Sequence, residues 1–142
     1  MNRFYAVGAV CTAITLAAAS TTHAAGTSPL LGKWATDDGK AIMEIVPCGK
    51  AHCARIARFL VPQPAGGARD TNNPDKALRN RLLIGVNVLT GLVPDGKVWK
   101  GKGYSPEEGR NFNATVAVNV NTLNLKGCVA VFCRSVVWKR AK

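Results

Sequence analysis

Apolar and polar residues alternate along much of the chain, most plainly from Asn111 to Val120. Phe112, Ala114, Val116, Val118 and Val120 fall on one side of an extended segment, and Asn111, Asn113, Thr115 and Asn119 on the other. A period of two residues marks a half-buried antiparallel strand. Thr122–Lys126 repeats the pattern after a short turn and completes a hairpin. Val93-Pro94-Asp95-Gly96-Lys97 and Tyr104-Ser105-Pro106-Glu107-Glu108-Gly109 read as turns, because Pro presets φ and Gly supplies a positive one. The same criteria predict strands over Leu31–Thr36, Ala41–Pro47, Cys53–Val61, Gly85–Val93, Lys97–Tyr104 and Arg134–Arg140. Helical periodicity is almost absent. Pro62–Asn80, with Pro62, Pro64, Gly66-Gly67 and Pro74, reads as a long irregular connection, with room for one helical turn between Asp75 and Leu83.

Eight short strands in sequence order predict an all-β domain, most simply an up-and-down antiparallel β-barrel, since closure removes exposed edges. A two-sheet β-sandwich satisfies the same pattern. An eight-stranded barrel is just wide enough to be filled by its own side chains or to hold one small ligand.

The first residues carry a different pattern. Arg3 precedes an apolar run from Phe4 to Ala19, then Ser20-Thr21-Thr22-His23 and Ala24-Ala25. This predicts a signal peptide over residues 1–24, with cleavage after Ala25 as the alternative, and one exported domain over residues 25–142. The apolar run is shorter than the ~20 residues of a spanning helix, so the cleaved chain is not expected to be an integral membrane protein. The expected location is the periplasm, or the medium if the chain is secreted.

Export changes the reading of the five cysteines. Cys11 leaves with the leader, and Cys48-x4-Cys53 and Cys128-x4-Cys133 remain. In an oxidising compartment, an even set at matched spacing predicts disulfides. Cys48–Cys53 and Cys128–Cys133 are the simplest of the connectivities open to four cysteines. Each bridge closes a loop of about six residues, worth roughly 2 kcal/mol by chain entropy. Zinc prefers C-x2-C spacing and a reducing compartment, and only His52 remains outside the leader, so no metal is expected.

With 19 Lys+Arg against 8 Asp+Glu, the formal charge is +11. Arg55, Arg58, Arg69, Arg79 and Arg81 gather in the first half, and Lys97, Lys100 and Lys102 lie on one strand. In the cytoplasm such a charge points to nucleic acid. Export argues against that partner, and aromatics at 6% offer few stacking platforms. Anionic lipid or acidic glycan is the better counter-charge, and a scattered, solvated positive surface satisfies the same composition.

Catalytic constellations are lacking. A nucleophile needs a base held by a third group, and His52 sits between cysteines expected to cross-link. Asp70/Asp75 and Glu107/Glu108 pair carboxylates in turn-rich loops, where such residues cap or face water. Asp70-x-Asn72-x-x-Asp75 hints at calcium, yet the loop glycine is missing and Arg81 stands at the twelfth position. Gly66-Gly67 lacks the Lys-Ser/Thr of a phosphate loop. No enzyme activity and no cofactor are expected.

Gly32-Lys33-Trp34, Cys48, Cys53-Ala54-Arg55-Ile56 and Asp70-Thr71-Asn72-Asn73-Pro74-Asp75 come in a recognisable order. Leu78-Arg79-Asn80-Arg81, Gly85, Trp99-Lys100-Gly101-Lys102-Gly103-Tyr104-Ser105-Pro106, Gly109, Leu125-Lys126-Gly127 and Trp138-Lys139-Arg140 follow. Together they resemble the bacterial exported family called domain of unknown function 2147. Ala54 stands where Gly is usual, Phe112 where Tyr is common and Cys128 where an aromatic often sits. The resemblance implies a small lipocalin-like barrel and an envelope location, and supplies neither an activity nor catalytic residues. It also implies that Trp34 plugs one barrel end, with Arg140 or Lys139 stacked on its indole.

If Lys100 and Lys102 face water, then Trp99, Gly101 and Gly103 face inward. Inward glycines either leave room for a ligand or let a closing strand bend. The candidate cavity lining is Trp99, Gly101, Gly103, Phe112, Val116 and Val118, around a small hydrophobic ligand. Val129-Ala130-Val131-Phe132, between two cysteines, is apolar where a turn should be polar. It reads either as a lip at a barrel mouth or as a buried continuation of the strand.

Overall fold

The computed structural model describes residues 26–142; the predicted leader and Cys11 lie outside the described residues. Eight strands run in order: β1 (Gly32–Ala35), β2 (Ala41–Cys48), β3 (Ala51–Phe59), β4 (Asn87–Asp95), β5 (Val98–Ser105), β6 (Arg110–Asn119), β7 (Thr122–Val129) and β8 (Phe132–Arg140). Each pairs antiparallel with the next, and β1 pairs with β8 through Trp34 opposite Arg140 and Ala35 opposite Lys139. That last ladder closes the barrel and rules out the sandwich. With no free edge, the backbone donors and acceptors of every strand have a neighbour on both sides.

The alternation read from Asn111 to Val120 places Ala114 and Val116 in the core, with Asn111, Asn113 and Asn119 exposed. Both disulfides form as paired in sequence order. The second lies across two facing strand residues, since Cys128 is directly opposite Cys133. It therefore extends the ladder past the expected ends, to Val129 opposite Phe132, and leaves only Ala130-Val131 as the turn. The apolar lip is thus the exposed tip of a stapled hairpin and not a buried strand continuation.

The connection from β3 to β4 is ordered by its own hydrogen bonds. The Asp70 amide donates to the Arg81 carbonyl (3.1 Å) and the Leu83 amide to the Ala68 carbonyl (2.9 Å), so the segment folds back on itself. Its helical turn is short, a 3-10 turn at Lys76–Leu78, where the Asp75 carboxylate caps the Ala77 amide at 2.9 Å.

The ends of the barrel differ. Turns β2–β3, β4–β5 and β6–β7, together with the last residues of β8, lie at one end; turns β1–β2, β5–β6, β7–β8 and the long connection lie at the other. Leu30, Trp34, Leu92, Val116 and Leu123 have no exposed surface and pack together toward the first end.

Candidate functional site

At the first end Trp34 is buried in the core and Arg140 covers it from outside. The Arg140 guanidinium stacks 4.1 Å from the centre of the Trp34 ring. It also donates to three carbonyls on two segments: Pro29 (2.9 Å) and Leu31 (3.1 Å) before β1, and Val120 (3.1 Å) in the β6–β7 turn. Trp34 Nε1 donates in turn to the Leu30 carbonyl at 2.9 Å. Gly32 has φ +116°, and a Cβ there would sit 3.3 Å from the guanidinium, so the G-x-W spacing lets the cation cross beneath the strand.

The opposite end is hollow. A cavity of about 420 Å³ opens there, walled by Met43, Ile56, Phe59, Leu83, Val88, Leu89, Phe112, Leu125, Val136 and Trp138. Thr36, Asp38, Lys40, Tyr104 and Glu107 form its polar rim. The volume lies within the roughly 300–1,000 Å³ of small-molecule sites, and an apolar body with a few rim polar groups is their usual lining. A second hollow of about 360 Å³, along the inner face of the β7–β8 hairpin, shares Ser105, Phe112, Leu125 and Val136 with the first.

Of the six lining residues expected from sequence, Phe112 borders the cavity. Trp99, Val116 and Val118 belong to the packed layers toward the closed end, where Val116 is opposite Trp99 and Val118 opposite Leu123. The inward glycines do not leave free space. A Cβ on Gly101 would lie 2.5 Å from the Thr90 carbonyl oxygen, where β4 bulges between Thr90 and Val93. A Cβ on Gly103 would lie 2.1 Å from the Phe112 ring. Backbone and ring have taken the room that sequence reading assigned to a ligand, and the open space lies nearer the mouth.

A polar cluster at the mouth was not legible as a unit. Asp70 is fully buried in the β3–β4 connection and accepts from Tyr104 Oη (2.6 Å), Asn73 Nδ2 (2.7 Å) and Arg81 Nε (2.9 Å). Arg81 Nη2 completes a 2.7 Å ion pair. Burial alone pushes the Asp70 carboxyl up, but the bonds from Tyr104, Asn73 and Arg81 together outweigh it and hold the carboxyl below its ordinary value. The Tyr104 phenol moves the other way, raised by burial and by its bond to the Asp70 carboxylate. Asn72 Nδ2 adds a bond to the Glu107 carbonyl (2.9 Å), so the connection is clamped onto the β5–β6 side of the mouth. The Asp-x-Asn-x-x-Asp run is therefore a latch: Asp70 is spent on Tyr104 and Arg81, and Asp75 on its cap.

The basic residues are dispersed. Arg55 pairs with Glu44 (2.7 Å), Lys100 with Asp95 (2.6 Å), and Arg79 donates to the Asn73 carbonyl (2.7 Å). Among the described residues, no three His, Cys, Asp or Glu side chains converge as a metal site requires, and no helix is long and apolar enough to cross a membrane.

Protein HP1028 of the human pathogen Helicobacter pylori, which belongs to the lipocalin family, has a similar solved structure. Its TM-score is 0.70 at 24% identity, over 80% of this chain and 83% of that one. The likeness establishes a shared lipocalin-like barrel. No curated protein matches the sequence. The family described as "Uncharacterized protein conserved in bacteria (DUF2147)" matches residues 32–140, from the first residue of β1 to the last of β8. With its whole barrel inside that match, the chain belongs to this bacterial family.

Proposed function

We propose that this protein is an exported, periplasmic lipocalin-like binder of one small hydrophobic molecule, held in the cavity at the open end of the barrel. The observation that carries the reading is a barrel filled in one half and hollow in the other: Trp34, Leu92, Val116 and Leu123 close the first half, and about 420 Å³ remains above them. Burial of an apolar ligand is worth ~25 cal/mol per Å² removed from water, and this lining gives the ligand little else to bond. Bacterial lipocalin likeness supports the reading, as do two disulfides suited to an oxidising compartment.

Polar chemistry at the mouth supports binding over catalysis. The buried carboxylate is satisfied by three side chains of its own protein, which leaves it positioned to hold the wall and not to move a proton. The test is native mass spectrometry of the chain expressed with its leader and purified after export, before and after organic extraction. A bound mass removed by extraction is expected. The extracted protein should then take up cis-parinaric acid with a rise in fluorescence. A bare polypeptide mass with no uptake would overturn the proposal.

A further inference from the structure

The β7–β8 hairpin ends in Val129-Ala130-Val131-Phe132, and its large side chains are uncovered: Val131 is 86% exposed and Phe132 79%. Nothing inside the fold calls for apolar residues there. The two-residue turn places Ala130 at φ +51°, a conformation that Gly or Asn adopts with less strain, and tight hairpin turns ordinarily favour those residues. The Cys128–Cys133 bridge directly below the tip keeps the strands paired, so the exposure is fixed in the fold. Val129 and Phe132 continue the inward-facing rows of β7 and β8 beyond the rim. Toward the ligand cavity the same rows continue as Gly127 with Arg134 and then Leu125 with Val136, so one cation separates the apolar tip from the apolar wall.

Charge beside the tip is positive. Arg134, next after Phe132 on the same face of β8, and Arg110 of β6 have most of their side-chain surface exposed, and both lean on the single carboxylate of Glu108, at 3.4 and 3.5 Å. We propose that this hairpin docks the open end of the barrel onto an anionic phospholipid bilayer, with Val131 and Phe132 in the interface and Arg110 and Arg134 on headgroup phosphates. A convex tip of three large apolar side chains is too small for a stable protein interface, which needs about 800 Å² per partner. It suits a bilayer surface, where a short apolar projection enters the headgroup boundary and adjacent cations add roughly one counter-charge interaction each. The docked orientation would bring the cavity mouth to the lipid, giving a hydrophobic ligand a path that avoids water.

The experiment is co-sedimentation of the disulfide-bonded chain with vesicles of phosphatidylglycerol and phosphatidylethanolamine in equal parts, against vesicles of phosphatidylcholine. Binding to the anionic vesicles and weaker binding to the neutral ones are expected. Phe132→Asp should weaken anionic-vesicle binding by about tenfold or more, and Arg134→Glu should weaken it and flatten its dependence on salt. Both residues are exposed, so a near-ultraviolet spectrum like that of the wild type is expected for each. Absence of anionic-vesicle binding would overturn the proposal, as would a Phe132→Asp chain that binds like the wild type. So would a dimer in solution that Phe132→Asp dissolves without any vesicle binding. A cavity-filling Met43→Trp chain, changed on β2 and outside the hollow beside the tip, should bind vesicles normally; loss of binding there would assign the lipid to the cavity and not to the tip.

Discussion

Phe112 lies across the barrel wall with its ring over two glycines on the neighbouring strands. A Cβ at Gly103 would stand 2.1 Å from the ring and one at Gly127 2.8 Å, so these positions are recesses already filled by an aromatic side chain. Gly103→Ala is expected to destabilise by about 1–3 kcal/mol, the usual cost of overpacking. In a Phe112→Leu background the same change should be close to neutral, and a double-mutant cycle in urea measures the difference. Arg140 is the other residue on which the architecture turns. Its stack on Trp34 and its three carbonyl bonds tie β8 to the chain before β1 and to the β6–β7 turn. Arg140→Met keeps the aliphatic stem but loses these partners, at an expected cost of about 2 kcal/mol in urea unfolding.

Two elements set the shape of the mouth. The β3–β4 connection is held by Asp70, whose folded carboxyl titrates below its ordinary value. Its contribution to stability is full above that ordinary value and is lost as pH falls through the folded one. Tyr104 is raised, so its share is full below the ordinary phenol value and is lost as pH rises through the folded one. Asp70→Asn should therefore cost about 2 kcal/mol near neutral pH. The gap in Tm from the wild type should shrink as pH falls below about 4. A gap that stays constant through acid would exclude the latch as its source. The β7–β8 hairpin depends on its staple in another way. Replacing Cys128 and Cys133 by serine frees a loop of about six residues and should cost roughly 2 kcal/mol. Faster amide exchange at Val129–Phe132 than elsewhere on β7 and β8 would place that loss at the tip.

At the scale of the molecule, one continuous sheet serves two purposes. Its closed half is a packed core around Trp34, and its open half is a container whose walls are Phe112, Leu125 and Val136. Filling the container from its wall separates the two. Val136→Trp is expected to abolish cis-parinaric acid uptake while lowering the unfolding free energy by no more than about 1–3 kcal/mol, the range of added core volume. Loss of uptake with an intact barrel would place the ligand between β6, β7 and β8.

The alternation of Phe112 to Val118 and the spacing of turns rich in Pro and Gly determined the strands, because side-chain direction follows from a period of two and turn chemistry is local. Val120, expected on the inward row, instead sits exposed in the β6–β7 turn. Paired cysteine spacing determined both bridges for the same reason: each joins residues five apart in the chain. Barrel closure is different, since the β1–β8 ladder joins residues more than a hundred positions apart and a sandwich satisfies the same alternation. The level of the cavity was also undetermined. Sequence shows that Trp99, Gly101, Gly103, Val116 and Val118 face inward, but the stagger of the strands decides which inward residues share a layer. Only the folded sheet brings the Phe112 ring over Gly103, seats Asp70 against Tyr104 34 residues away, and leaves the empty space one layer higher, at the mouth.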